Sequence, residues 1–384
     1  MGPSGRLNYI RRVNPIVYAI PVFMASILLE AWIARRRGLQ IYDIPDAVTS
    51  LNFGILSQVA GVFLRLISFG IYVLVFEHLR LATLPVDAWW VWIGALLAYD
   101  FIYYWVHRCG HEVNAMWAAH QVHHSSERFN LSTALRQTST GAFLSTPFYL
   151  PMAVAGVPPA VFATVALIDL LYQYWVHTEL VRKLGWVDRV FVTPSNHRVH
   201  HGQNDYCIDR NYGGILIVWD RLFGTFTEER DDEPVVYGVR KPLASCNALW
   251  GNFNVYLDVL RKSLGERSAV AALRVWLEPP NGRLGVIPHL DPRSVTRYDP
   301  GTPAPVRRYV VVQYALLALA VTHFLAIAPS LDLPARIAYA LAIVMSVVSI
   351  GWLLEGRRHA RLFETLRLLG IAAGIALAAG LPQA

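Results

Sequence analysis

The chain has 384 residues, 54% of them hydrophobic and 16% charged, against roughly a quarter charged in an average soluble protein, so water is excluded as the solvent for most of it. Its net charge of +7 comes from arginines beside apolar spans, without the aromatic-interleaved basic stripe of a nucleic-acid interface, so topology and headgroups explain it and no nucleic-acid partner is expected. Three cysteines, Cys109, Cys207 and Cys246, are odd in number and lack metal-type spacing, which argues against a disulfide framework or a thiolate metal site.

About 20 mostly apolar residues cross a bilayer. The first such run, Pro15 to Ala34, follows Arg6, Arg11 and Arg12 and ends in Arg35, Arg36 and Arg37. It lacks a clear small-residue cleavage site and reads as a retained first helix. A second run covers Asn52 to Phe76. A third, Trp89 to Val106, opens on Trp89, Trp90 and Trp92 as an interfacial aromatic belt and leads into His107. Gly141 to Val176 is broken at Gly156, Val157, Pro158 and Pro159, which predicts a helical hairpin ending at His177. Glu179 to Arg308 is one long polar region with short helical or strand-like pieces, closed by a proline- and glycine-rich linker from Pro279 to Pro305. Three further spans follow: Tyr309 to Ala328, Pro334 to Leu354 and Leu362 to Gly380.

The expected architecture is an all-α integral membrane protein, a multi-helix transmembrane bundle with a cytosolic histidine-rich di-metal cap. Residues 1–83 supply N-terminal transmembrane helices, 84–305 the catalytic domain and 306–384 the C-terminal transmembrane helices. The positive-inside rule puts Arg35 to Arg37 in the cytoplasm, and with them His107, His177, the polar region and Arg357, Arg358 and Arg361. The N-terminal arginines run against this scheme. A bacterial inner membrane and an endoplasmic reticulum membrane both fit.

Eight of thirteen histidines fall in three tight groups, His107 and His111; His120, His123 and His124; His197, His200 and His201. Residues three and four apart share a helix face, so each group can aim two or three imidazoles at one point. Neutral imidazole suits iron, zinc, copper and nickel. Eight ligands exceed the six positions of one octahedral ion, so two ions are expected. Glu112 follows His111, but the next histidine is His120, so the H-E-x-x-H of zinc peptidases is absent. Glu-x-x-His pairs of carboxylate-bridged di-iron bundles are absent too. What remains is an all-nitrogen pair of redox metals, for which iron with dioxygen is the expected chemistry.

Asp100, Tyr104, His107 and His111 share one helical side, as do Asp169, Gln173 and His177. Asp100 is a candidate acceptor fixing a histidine ring or a neighbouring helix. His177 is a candidate ninth ligand and Gln173 a candidate ligand or water-bonded neighbour. Glu112 is either a base beside the site or the ion-pair partner of Arg108. Asn204, Asp205, Tyr206, Asp209 and Arg210, after His201, can cover the site, contact a headgroup or pack the cap. His78, His289, His323 and His359 lack partners at helical spacing and read as structural, and Cys109 is turned away from the face of its neighbours.

The stretch His120-Gln-Val-His-His-Ser-Ser-Glu-Arg-Phe-Asn-Leu-Ser-Thr-Ala-Leu-Arg-Gln137 resembles the fatty acid hydroxylase and sterol desaturase superfamily, and within it the alkylglycerol monooxygenases. Thr193-Pro-Ser-Asn-His-Arg-Val-His-His-Gly202 carries the same resemblance, as do Asn211-Tyr-Gly-Gly and Trp219-Asp-Arg-Leu-Phe-Gly-Thr-Phe226. The resemblance implies a di-iron site on the cytosolic side of a helical membrane domain, with the eight grouped histidines as ligands and Glu112 as the acidic residue after the first group. It also implies hydroxylation of a lipid C–H bond with dioxygen, and for the alkylglycerol monooxygenases cleavage of an ether lipid with a tetrahydropterin as electron source. Relatives in the superfamily that hydroxylate or desaturate sterols and fatty acyl chains draw electrons from ferredoxin or cytochrome partners. Two other classes stay open from the residues alone: a zinc-dependent membrane hydrolase and a metal-binding transporter.

Overall fold

A computed structural model describes residues 16–282 and 288–380; Arg6, Arg11, Arg12 and Pro15 lie outside them. Fourteen α-helices and three short 3-10 turns make up the described residues, with two isolated β-bridges, Phe191 to Leu216 and Gly202 to Tyr237, and no strand. Helix α1 is Ile16–Arg36 and α2 is Ile44–Leu79. The second begins eight residues before the expected apolar run because Asp43 caps it and Pro45 occupies its first turn. Its polar first turns, with Thr49, Ser50 and Asn52, are buried and not solvated.

Trp89–Glu112 forms α3, Asn114–His124 forms α4 and Leu131–Ala134 the single turn α5. The expected hairpin is α6 (Gly141–Val154) and α7 (Pro159–Trp175), of 14 and 17 residues, each short of the length that crosses a bilayer alone. Its turn needs Gly156, at φ +93°, where a Cβ would lie 2.2 Å from the Ala82 carbonyl oxygen. The polar region holds α8 (Pro194–His200), α9 (Val218–Phe223), α10 (Ala248–Leu264) and α11 (Ala269–Leu277). Helices α12 (Ala304–Ile327), α13 (Leu333–Leu354) and α14 (Ala360–Gly380) complete the chain.

Among the described residues, four helical segments are long and apolar enough to cross a membrane: α1, Ile44–Leu64 of α2, Ala304–Ser330 and α13. The two other expected spans, at α3 and α14, also fold as helices and carry polar residues within them. The second half of α3 is given over to tyrosines, Asp100 and histidines, and α14 carries Arg361, Glu364 and Arg367. Glu364 and Arg367 pair at 2.6 Å and are buried against α12 and α13, where Tyr309 and Ser349 donate to Glu364 and Arg367 donates to Gln313 and Ser346. A side that looks apolar by sequence average is therefore stitched by a polar cluster.

The cap meets the spans at one end. Glu30 of α1 accepts from Leu131 N at 2.8 Å and from the Thr178 hydroxyl; Asp46 of α2 accepts from Ser126 Oγ at 2.6 Å; Glu355 after α13 accepts from Ser245 Oγ at 2.5 Å and Cys246 N at 2.6 Å. The described part of the expected linker is also tied down. Leu290 N and His289 bond Asp205, Tyr298 N donates to Glu127, and Thr302 Oγ1 donates to the Leu354 carbonyl. These backbone and side-chain bonds make it a strap across the cap and not a free linker.

Candidate metal centre

All nine candidate histidines converge, but not box by box. One buried group is His107, His111, His120, His124 and His200; the other is His123, His177, His197 and His201. The expectation that each sequence group aims at one point is corrected by helix geometry. On α4, His120 and His124 share a face while His123 is turned about 100° from His124. On α8 and its cap, His197 and His201 share a face and His200 points to the other group. Neighbours in sequence thus belong to different groups, and within each group the candidate donor nitrogens lie within 4.8 Å of one another.

Backbone carbonyls set the ring orientations. Nδ1–H of His107 donates to Tyr212 O at 2.8 Å, that of His123 to Arg136 O at 3.0 Å, that of His177 to Gln173 O at 2.7 Å and that of His200 to Arg210 O at 2.9 Å. A carbonyl cannot donate, so each of these rings carries its lone pair on Nε2. Yet His177 Nε2 faces His123 Nε2 at 3.2 Å, and His200 Nε2 is buried with no partner. Two lone pairs at that distance repel unless a cation sits between them. With a metal–nitrogen bond of about 2.1 Å, adjacent imidazoles on an octahedral or tetrahedral ion would hold their nitrogens about 3.0–3.4 Å apart. The observed Nε2–Nε2 contacts are 3.0 Å for His107–His120, His120–His124 and His177–His197, and 3.2 Å for His111–His124 and His197–His201. The donor set fits two metal ions.

Burial keeps these imidazoles neutral. It lowers His120, His124, His197, His200 and His201 well below the usual histidine range, neighbouring histidines adding to the effect, and lowers His123 to about 4. Neutral imidazole is the form that binds a metal. Phe129 lies against His177, His197 and His201 and stacks on Tyr237 at 5.0 Å, closing one side. Trp117 and Tyr212 close the other, near His111.

Of the two roles expected of Asp100, the contacts are those of a link to a neighbouring element: it accepts from Ile215 N at 2.6 Å, Leu216 N at 3.2 Å and Trp219 Nε1 at 2.8 Å, tying α3 to α9 and the segment before it. Gln173 reaches the site through its backbone carbonyl, while its side chain bonds Asp169 and Tyr103. Glu112 pairs with Arg108 at 2.9 Å and its side chain is 42% exposed, so of its two expected roles the ion pair has a contact. Trp89 and Trp90 are exposed, and Trp92 donates to Val86 O. His289 bonds Asp205 and His323 bonds Tyr339, outside both groups.

Sequence reasoning missed the loop from Asp209 to Tyr212 as a scaffold. Asp209 and Asn211 adopt φ of +57° and +58°, a region that Asp and Asn tolerate better than most residues. Asn211 donates to Asn196 O and Thr227 O and accepts from Thr227 N, which pins the loop. The loop then offers Arg210 O to His200, Tyr212 O to His107 and the Asp209 carboxylate 3.7 Å from His111 Nδ1. The signal available was Asn211-Tyr-Gly-Gly: at Gly214 a Cβ would come within 2.7 Å of Asp169 Oδ1 and 2.9 Å of Asp100 Oδ1.

The fatty acid hydroxylase family matches residues 92–225, a stretch that holds both histidine groups. Human alkylglycerol monooxygenase is 39% identical over 362 residues, covering 91% of this chain and 80% of its own length. The zebrafish (Danio rerio) alkylglycerol monooxygenase is 40% identical over 361 residues, covering 91% and 79%. Ornithine lipid hydroxylase OlsE of Rhizobium tropici is 32% identical over 146 residues, 36% of this chain and 42% of its own. No solved structure matches. With this coverage, and with two buried histidine groups that could hold metal among apolar helices, the chain belongs to the alkylglycerol monooxygenase family of membrane fatty acid hydroxylases.

Proposed function

We propose that the nine histidines hold two iron ions and that the protein inserts one oxygen atom of dioxygen into a lipid C–H bond. The observation that carries this is the pair of buried groups whose Nε2 atoms face one another at 3.0–3.2 Å with lone pairs fixed by carbonyl-anchored Nδ1–H groups. Bound iron would supply the redox chemistry that activates dioxygen. The chain's own part is to fix the imidazoles neutral and oriented, through the carbonyls of Arg136, Gln173, Arg210 and Tyr212. Phe129, Trp117 and Tyr212 exclude water from the reacting volume.

The balance is one C–H bond, one dioxygen, two electrons and two protons giving one C–OH and one water. The names of the long-range relatives favour the carbon next to an alkylglycerol ether oxygen. Hydroxylation there leaves a hemiacetal, which releases an aldehyde and glycerol. The electrons are assigned to a tetrahydropterin, with a ferredoxin or cytochrome as the competing donor. Fatty acyl or sterol hydroxylation or desaturation is the second reading, supported on the acyl side by the match of residues 92–225 to the fatty acid hydroxylase family. Glu112 is assigned the ion pair that holds Arg108 at the outer face of α3.

The site is assigned to the cytosolic face, of a bacterial inner membrane or an endoplasmic reticulum membrane. Arg35 to Arg37 and Arg357, Arg358 and Arg361 lie at the helix ends that meet the cap, and this arrangement supports the assignment. The lipid substrate would enter from the bilayer. The test is aerobic and anaerobic incubation of purified, iron-loaded protein with an alkylglycerol, a fatty acid and a sterol, each with tetrahydropterin or reduced ferredoxin. Oxygen-dependent aldehyde from the alkylglycerol with pterin is expected. Turnover that persists without oxygen, or that follows zinc instead of iron, would overturn the assignment.

A further inference from the structure

Helix α10 presents its sides in an unusual order. Ala248, Gly251, Asn252, Val259 and Ser263, small or polar for the most part, face the core. The large apolar residues Trp250, Phe253, Leu260 and Leu264 face outward, at spacings of three, seven and four with the half-buried Leu257 between them. That is one continuous helical stripe. Across the turn, α11 continues it with Val270, Leu273 and Leu277, all more than 60% exposed, while Val275 is buried. Arg261, Lys262, Arg267 and Arg274 flank the stripe and are exposed as well.

Seven large apolar side chains on one face exceed the scattered exposure normal at a water-facing surface. What the face touches is indicated by its neighbours. Helix α10 packs directly against α2 and α13, two of the membrane-crossing helices, and both α10 and α11 pack against α4. Asn114, at the start of α4, donates its side-chain N–H to Val275 O at 2.8 Å and its backbone N–H to Glu278 O at 2.8 Å. The stripe is therefore continuous with the lipid-facing surface of the spans, and its basic flanks match anionic headgroups.

We propose that the α10–α11 hairpin lies in the membrane interface, its Trp250-to-Leu277 stripe among the acyl chains and its arginines and lysine at the headgroups. Hairpins of this composition bind by buried apolar area with electrostatic support, and long basic side chains reach back to the headgroup level. The hairpin then holds the histidine-bearing α4 at the level of the leaflet surface, independently of which lipid is oxidised.

The full-length protein in nanodiscs of mixed zwitterionic and anionic phospholipid tests this. Bimane is attached at Leu264→Cys, at Leu273→Cys and, as a water-facing comparison, at Asp231→Cys, each in a Cys109→Ala background; Cys207 and Cys246 are buried. Nitroxide carried on lipid acyl chains is expected to quench the two hairpin labels and iodide to quench the Asp231 label. Iodide quenching of all three alike, without effect of the lipid nitroxide, would overturn the proposal. So would energy transfer between labelled copies with neither quencher acting at the hairpin, which would assign the stripe to a second copy of the chain. Metal content and thermal unfolding of each labelled protein verify that the cap is folded.

Discussion

His177→Ala separates a two-centre site from a single-centre one. His177 lies 54 residues from its facing partner His123 and belongs to no box, yet its Nε2 sits 3.2 Å from His123 and 3.0 Å from His197. A structural four-ligand zinc site is bound with about 10–16 kcal/mol; on that scale one of four equal donors is worth about 2.5–4 kcal/mol, or about two to three powers of ten in affinity. The variant is expected to keep one metal per chain after dialysis against a moderate chelator, in the group around His107, and to lose the other. His200→Ala is expected to lose the opposite one. Metal analysis after graded chelation reads both, and the double variant is expected to hold none. If His177→Ala retained two ions with unchanged resistance to chelator, the assignment of the second group would be wrong.

Asn211→Ala removes three hydrogen bonds and leaves alanine at φ +58°; it is expected to cost about 3–4 kcal/mol in thermal unfolding and to loosen the metal held with His107 and His200 first. Gly214→Ala drives a methyl against the Asp100 and Asp169 carboxylates and is expected to destabilise by about 1–3 kcal/mol, seen as a lowered melting temperature. Arg136 is buried, donates to Val122 O and Ser125 Oγ, lies 3.7 Å from Asp46 and offers its carbonyl to His123. Arg136→Met leaves Asp46 unpaired at about 3–5 kcal/mol, and the double variant Arg136→Met/Asp46→Asn is expected to recover part of that in denaturant melts. For acid, the sign follows from neutral burial: His123 takes its proton near pH 4 when folded and near 6.5 when unfolded, so its contribution to metal-free stability is full above pH 6.5 and is lost as the pH falls toward 4. A pH series of melts on metal-free protein in which stability stays flat or increases as the pH falls from 6.5 to 4 would contradict the buried-neutral state.

Much of the site was legible because histidine spacing and helix period are both local. His107 with His111, and His120 with His124, needed only the four-residue rule, and His177 followed from its place at the end of an apolar helix with Asp169 and Gln173 behind it. That His123 and His124, and His200 and His201, face different ways follows from the roughly 100° step of a helix; which distant histidines each side meets was not legible, since that depends on where α3, α4, α7 and α8 lie relative to one another. Asp100 shows the same limit. Its helical side was right, but its partners are backbone N–H groups 115 and 116 residues away, which no periodicity reports. In the fold, the long apolar runs marked α1, α12 and α13 well. The start of α2 was missed because Thr49, Ser50 and Asn52 look solvated in sequence and are buried in the cap, and the helical α10 and α11 were lost in a stretch whose apolar side faces outward.

The two adjacent pairs have a consequence for how the two histidine groups are held together. From His123 to His124, and again from His200 to His201, a single peptide unit joins a donor of one group to a donor of the other, and the His124 and His201 rings stack 4.3 Å apart. The two groups therefore share two short covalent links and one ring contact. One extra residue between His123 and His124 would turn one ring by about 100° and break a link while leaving every histidine in the chain. In this architecture the spacing between neighbouring histidines, and not their number, keeps the two groups in register.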